Sequence, residues 1–320
     1  MGLCRAPVLP ASSSILPHDF SSHPLDGTGS EKPLTRVTDH FTVRIVKICF
    51  ENNNAFFCQI TDLSLDYPED VGGSGLGVME NVLVIEEFCK ADSGVGMAIH
   101  LAYLPAKIVK IFGTPDQRRK FLSPLVKGDW VSAVSFTEPN HGSDITTMDT
   151  TAVRDGDSWV LNGTKTFITN GCIADCFITL CQTDPGVRPG YRGQSLILVE
   201  KGAAGLEAAE VGDKMGIRMT STAEVSYTSV RASAASLVGE ENRGFYHVLE
   251  FFDESRILVA AQALGIAQGA FDRALAYVKE RRQFGRRIAD FQVTQHKLAD
   301  MATKIELARL MTYKAAWNYD

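Results

Sequence analysis

Most of the short signatures that announce a function are missing from this 320-residue chain. It has no uninterrupted apolar run of 18 residues. The best candidate, "GMAIHLAYLPAKIVKIFG" (96–113), is broken by His100 and Lys107, so no membrane span is expected. A formal charge of −6 leaves no basic footprint for nucleic acid. The Gly-rich "GGSGLG" (72–77) lacks G-x-G-x-x-G spacing and has no βαβ unit around it. It also misses G-x-S-x-G, because Leu76 stands where the last glycine belongs. There is no G-K-[ST] loop, and no histidine pair has metal-ligand spacing, so no metal is expected.

The seven cysteines (Cys4, Cys49, Cys58, Cys89, Cys172, Cys176 and Cys181) are odd in number and lack framework or paired Cys-x-x-Cys spacing. They read as reduced thiols, with Cys172, Cys176 and Cys181 as small buried hydrophobes. No basic segment precedes an apolar core at the N-terminus, which argues against a secretory signal. Asp19, Asp26, Glu31 and Asp39 are unlike an acid-poor transit peptide, and Ala6 stands where a myristoylation motif wants Ser or Thr. A soluble, cytoplasmic protein is the expectation.

What is present is ordinary globular composition, 45% hydrophobic and 22% charged, with length for about two domains. The first 38 or so residues are Pro-, Ser- and His-rich and read as a tail, and residues 1–60 as a whole join no recognisable domain. "HFTVRIVKICF" and "NAFFCQI" within them could form strands. Residues 61–130 turn helical. "MENVLVIEEFCKA" places apolar residues at 82, 83, 85 and 88 near one face, Asp92 or Ser93 can cap the next helix, and Pro105 must kink or break it. "GTPDQRRKFLSPLV" then supplies a glycine stop, a proline start and a short helix.

Residues 131–236 change period to an antiparallel β domain. "DSWVLNGTKTFITNG" alternates around Asn162-Gly163, a hairpin signal, and "DCFITLCQT", "QSLILVEKG" and "AEVSYTSVRA" follow as short strands. Residues 237–320 return to helix, with Gly265 and Gly269 one turn apart for close packing and an amphipathic "TQHKLADMATKIELARLMTYKAAW" at the end. The order is helical, β, helical.

One loop carries more hydrogen-bonding groups than a chain reversal needs: "VSFTEPNHGSD" (134–144). With "NGTKTFITNG", "DKMGIRMTSTAEVSYTSVRA", "GEENRGF", "ESRILVAAQALGIAQGAFDRALAYVKERRQFGRRIADFQ" and "LADMATKIELARLMTYKAAW", it resembles the acyl-CoA dehydrogenase family of flavoproteins. The motifs keep the family's order and spacing over roughly residues 65–320. The resemblance implies an α+β multidomain fold: an N-terminal helical domain, a central antiparallel β domain and a C-terminal helical bundle, here incomplete.

It further implies FAD as cofactor, an acyl-CoA thioester oxidised to a 2,3-enoyl-CoA, and electrons passed to an electron-transfer flavoprotein by a homodimer or homotetramer. Val134, Ser135, Phe136 and Thr137 would offer backbone and hydroxyl groups to the flavin pyrimidine edge, where reduction develops negative charge. Gly142 and Ser143 would let N–H groups approach the pyrophosphate, with Ser143 also near substrate. Phe167, where the family commonly has Trp, would lie against the ring face, Thr169 would offer a hydroxyl near the reactive nitrogen, and Ile168 between them would also belong to the cofactor site. Arg281, Gln283, Phe284, Phe291 and Gln292 resemble contacts to the FAD of a neighbouring subunit.

Asp253, Glu254, Ser255 and Arg256 ("DESR") resemble the acyl-CoA contact, Arg256 suiting phosphate or adenine. Gly96, Met97 and His100, three and four residues apart on one helix, would line the acyl pocket. Each of these segments also has a plainer account: a capped turn, a core aromatic, a surface ion pair, a basic helix end, a satisfied core histidine. The family's catalytic carboxylate, which takes the substrate α-proton, has no counterpart. Neither the usual Glu nor its Gly-rich flavin loop is matched, and the alternative position, just before Arg256, holds Ser255. Glu254 lies about 100° away around the helix. Two further readings therefore stay open, a catalytically silent flavin- or acyl-CoA-binding remnant and a same-fold flavoenzyme with other redox chemistry.

Overall fold

A computed structural model describes residues 65–320; the expected tail and the two candidate strands in 1–60 lie outside them. Six helical runs and ten strands follow in the helical, β, helical order that the periodicity predicts. The first run, α1 (Val78–Ala91), leads to α2 (Ser93–Tyr103) and α3 (Ala106–Phe112). Asp92 caps α2 by accepting the Val95 N–H at 2.9 Å, and the chain breaks at Pro105 between α2 and α3. Ser93–Phe112 matches a membrane span in length and hydropathy, but it is broken there and 67% buried inside the protein, so core packing accounts for its apolar character. Helix α4 covers 115–126, opened by Thr114, whose hydroxyl accepts the Gln117 N–H at 3.2 Å, with Pro115 as the first residue.

The middle of the chain is one eight-stranded sheet in the order β6-β7-β3-β2-β4-β5-β8, with β1 paired to β4. The strands are β1 (Ser132–Ser135), β2 (Thr151–Asp155), β3 (Ser158–Thr169), β4 (Cys176–Gln182), β5 (Gln194–Glu200), β6 (Leu206–Glu210), β7 (Thr222–Ser233) and β8 (Leu237–Val238). Pairing is mainly antiparallel, but β1 and β2 each run parallel to β4. Strand β4 is buried on both faces: Cys176, Ile178 and Leu180 join the core shared with the helices, Phe177 and Cys181 a second core on the sheet's other side. Cys89, Cys176 and Cys181 are buried free thiols, whereas Cys172 is exposed, against the expectation of burial.

The Asn162-Gly163 hairpin does not form. Strand β3 runs through both residues, and the turn comes earlier at Gly156, whose φ is 58°. Gly163 answers to a different constraint: a Cβ there would sit 2.6 Å from the Thr150 Cα.

Two long helices complete the fold, α5 (Gly244–Glu280) and α6 (Gln292–Tyr319), joined through a small hairpin of β9 (Arg282–Gln283) and β10 (Arg286–Arg287). Gly265 and Gly269 do let α5 close on α1, since a Cβ would fall 2.2 Å from the Glu86 carbonyl oxygen and 2.3 Å from that of Lys90. A polar seam ties α6 down: buried Glu86 accepts Arg309 Nε at 3.0 Å and the Tyr313 hydroxyl at 2.8 Å.

Candidate functional site

The loop after β1 is built on a buried ion pair. Lys165 sits at an inward position of β3, and both its side chain and that of Glu138 are fully buried, 2.8 Å apart. Glu138 also accepts the N–H groups of Asp149 (2.6 Å) and Thr150 (2.9 Å), and Lys165 donates to the Phe136 carbonyl at 3.1 Å. Burial pulls the Lys165 pKa down, against the opposing pull of Glu138. Burial would raise Glu138, but the Lys165 charge and the hydrogen bonds outweigh it and hold the carboxylate below its usual range. This bracket closes both ends of the 138–150 segment and pushes its middle outward, so that Gly142, Ser143 and Asp144 are exposed. His141 and Asp149 approach Glu138, but the Glu138 oxygens are already engaged by Lys165 and the two amides.

A backbone bond from the Thr166 N–H to the Thr137 carbonyl, 2.9 Å, joins this loop to the end of β3. There the β3–β7 register slips between Lys165 and Ile168, and Phe167 adopts φ 56° with 65% of its surface exposed. A bulky residue at positive φ is uncommon and costs roughly 1–3 kcal/mol. The slip keeps Ile168 in the core while turning the Phe167 ring out beside Thr137. Asn170, also at positive φ, bonds the Ser221 carbonyl through its N–H (2.9 Å) and the Leu101 carbonyl through its side chain (3.1 Å). The ends of β3 and β7 and helix α2 thus meet at one surface.

That surface carries polar groups that other described residues leave unpaired. Among the described residues the Thr137 and Thr169 hydroxyls hold no hydrogen bond, and the Ser221 hydroxyl is buried without a partner. A Cβ at Gly142 would meet nothing within 4 Å, so no contact among the described residues explains that glycine, while a closely approaching ligand would. Thr137, Thr169 and Ser221 could hold polar edges of the ring system, Phe167 its face, and the amides around Gly142 and Ser143 a phosphate. The side chains of Ser135 and Phe136 are buried, Phe136 against Phe251 and Phe252, and Val134 is half-buried. The Ser135 hydroxyl, like that of Ser221, is buried without a partner among the described residues, whereas Thr137 is half-buried; Ser221 is a hydroxyl that the motif reading did not single out.

The "DESR" turn of α5 divides in two. Asp253 and Arg256 are exposed and 3.5 Å apart, the guanidinium lying 5.7 Å from the Phe252 ring centre. Glu254 points the other way, fully buried and ion-paired with Lys107, which also holds buried Asp66. It is not available to a bound thioester, contrary to the expectation drawn from the motif. Ser255 is buried too, donating to the Phe252 carbonyl at 3.3 Å.

Helix α2 corrects the expected pocket floor in the same manner. Gly96 faces α1, where a Cβ would lie 2.6 Å from the Cys89 sulfur, and His100 faces α5, bonded to buried Gln262. Burial first, then the Lys107 charge, lowers the His100 pKa to about 3 and keeps the ring neutral at physiological pH. Met97 is half-buried. The side of α2 turned to the sheet is marked instead by Gly94, against Met219, and by the Leu101 and Ala102 carbonyls, which accept Asn170 and Ser132.

Arg281, Gln283 and Phe284 lie at the far end of α5, with Phe291 and Gln292 at the start of α6. Phe284 is 93% exposed, its ring 6.4 Å from that of Phe291, over which the Arg286 guanidinium stacks at 3.9 Å. The hairpin and the turn before α6 both pack on α5, and among the described residues no hydrogen bond or ion pair joins them to the 134–144 loop.

A sheet lies between two helical regions, with an exposed aromatic ring and hydroxyls without partners among the described residues at its edge. Family comparison is more specific. The N-terminal, middle and C-terminal domain models of acyl-CoA dehydrogenases match residues 61–129, 133–230 and 242–320. The short-chain specific acyl-CoA dehydrogenase of Clostridium acetobutylicum is 40% identical over 257 residues, 80% of this chain and 67% of its own. A 3-(aryl)acrylate reductase of Clostridium sporogenes is 35% identical over 95% of this chain and 78% of its own. The structure of butyryl-CoA dehydrogenase from Megasphaera elsdenii superposes with TM-score 0.79 at 37% identity, covering 89% of this chain and 75% of that one. The chain belongs to the acyl-CoA dehydrogenase family, whose members are FAD-dependent oxidoreductases, and spans about two thirds of the length of its Clostridium acetobutylicum relative.

Proposed function

We propose that this chain binds FAD at the Thr137–Phe167–Thr169–Ser221 surface and an acyl-CoA beside it, as part of an acyl-CoA dehydrogenase that forms a 2,3-enoyl-CoA. The observation that supports this most directly is the outward Phe167 ring, flanked by hydroxyls with no partner among the described residues. When bound, FAD supplies the two-electron acceptor. The chain's own residues would orient and shield it: Phe167 would cover a ring face, and the Thr137, Thr169 and Ser221 hydroxyls would donate where negative charge develops. Exposed Arg256 and Asp253 would hold the CoA moiety, since a rigid guanidinium fork suits phosphate or adenine. Onward transfer to an electron-transfer flavoprotein, assembly as a homodimer or homotetramer, and a reducing cytoplasmic setting complete this reading. The assembly is supported by exposed Phe284, Leu307, Leu310, Met311 and Trp317.

A second reading follows from one observation. No described carboxylate takes the place of the base near Arg256, because Glu254 is locked to Lys107 and Ser255 holds the alternative position. The chain would then bind flavin and thioester without turnover. The test is to load the full chain with FAD, remove excess by gel filtration, and add a saturated acyl-CoA without oxygen. Retained flavin that bleaches supports the dehydrogenase; retained flavin that stays yellow supports the silent binder. No retained flavin at any FAD concentration defeats both.

A further inference from the structure

Three buried, charged groups in the helical region have no part in the proposed flavin surface. Lys107 bridges Asp66 and Glu254, with all three side chains no more than 3% exposed. Asp66 is tied further, to Lys110 at 2.9 Å and to the Asn81 amide at 2.6 Å. Among the described residues the Glu254 carboxylate has Lys107 alone. Taking such charges out of water is costly, and their pairing is weak ground for stability alone. The cluster's placement suggests a task. Glu254 and Arg256 are two residues apart, hence roughly 160° apart around the helix axis. Glu254 is therefore gripped from behind while Arg256 and Asp253 stand on the open side. The same turn carries Phe251 and Phe252, whose rings touch Phe136, one residue before Thr137.

We infer that Lys107 and Glu254 form a positioning pair that sets the rotation of α5, so that Asp253 and Arg256 present correctly to the CoA moiety and Phe136 stays in place beneath the flavin loop. This rests on the proposed binding of acyl-CoA at Arg256. Neither residue touches ligand; both act through the helix. Asp66, held from three sides, is the fixed point against which Lys107 is aimed.

The test uses the full chain loaded with FAD and titrated with coenzyme A by calorimetry, comparing Glu254→Gln with Glu86→Gln. The second variant weakens a buried carboxylate contact elsewhere in the bundle, between α1 and α6. Hydrogen exchange over residues 251–256 is read in parallel. Glu254→Gln should weaken coenzyme A by about 10-fold or more, the scale on which groups orienting a ligand-binding residue act. Exchange over 251–256 should speed up, with flavin retention unchanged. Glu86→Gln should leave both coenzyme A affinity and that exchange as they were. Glu254→Asp, which keeps the charge, should recover part of the affinity. Unchanged affinity in Glu254→Gln, or equal losses in both variants, overturns the positioning role. If the unsubstituted chain takes up no coenzyme A, the proposed function fails instead, and the exchange over 251–256 still decides whether Glu254 pins the helix: no change there overturns the inference. Should Glu254→Gln not fold, Glu254→Asp carries the same comparison.

Discussion

Two buried lysines in this protein do opposite kinds of work. Lys165 serves one domain: it joins Glu138 to the Phe136 carbonyl and closes a loop within the sheet region. Lys107 serves a junction, reaching Asp66 in the entering segment and Glu254 on α5, 147 residues away in sequence. They differ in redundancy. Glu138 keeps two backbone N–H donors without its lysine, whereas Glu254 keeps none. A buried charge with spare partners tolerates loss; one with a single partner does not. The Glu138 carboxylate is thus secured several times over, and the Glu254 carboxylate once among the described residues.

The sharpest way to break the comparison is Lys107→Met. It strands Glu254, so unfolding free energy should drop by about 3–5 kcal/mol, read by urea denaturation. Lys165→Met should cost less, about 1.5–3 kcal/mol, the scale of one hydrogen bond to a charged group, because Asp149 and Thr150 still solvate Glu138. Equal losses would show that the backbone donors count for little.

Acid sharpens the junction side. His100 is neutral when folded, its pKa lowered from 6.5 to about 3 by burial and Lys107. The unfolded chain therefore binds the extra proton first. The resulting stability is fully present above pH 6.5 and is lost as pH falls through about 3. By pH 5 this removes about 2 kcal/mol, and His100→Gln should flatten the dependence between pH 7 and 5. Asp66, lowered to about 2, adds a second loss that begins only below its ordinary value of 3.8. A midpoint that does not move between pH 7 and 5 would mean His100 is not held neutral.

These contrasts also show what the sequence could disclose. Local rules read correctly: the Asp92 cap, the break at Pro105, the close approach at Gly265 and Gly269, and the change of period that separates sheet from helix. Asn162-Gly163 misled because a glycine suited to a turn also suits a strand pressed against Thr150. Lys165 left a faint signal, a charge at an inward strand position that demands a partner. The Asp66–Lys107–Glu254 junction left none, since its members are 41 and 147 residues apart and each alone resembles a surface charge. Gly96 and His100 show the limit of helical spacing, which tells which residues share a face and not which neighbour that face meets.

The smallest effect concerns a second long-range tie at the same junction. The Asp320 carboxylate accepts the Val78 N–H at 2.7 Å and the Met79 N–H at 2.9 Å. It does for α1 what an N-cap side chain ordinarily does from the residue just before a helix, but across 242 residues of chain. Gly77, the residue in the cap position, has no side chain to offer, and a Cβ there would lie 2.7 Å from an Asp320 oxygen. Glycine is thus what admits the distant carboxylate, which also meets the positive end of the helix dipole. Asp320→Ala should cost about 0.5–2 kcal/mol, the range for losing a cap, and speed hydrogen exchange of the Val78 and Met79 amides. Asp320→Asn should fall between, keeping an acceptor without the charge. If neither variant changes exchange at those amides, water replaces the carboxylate freely, and α6 is held to α1 by Glu86, Arg309 and Tyr313 alone.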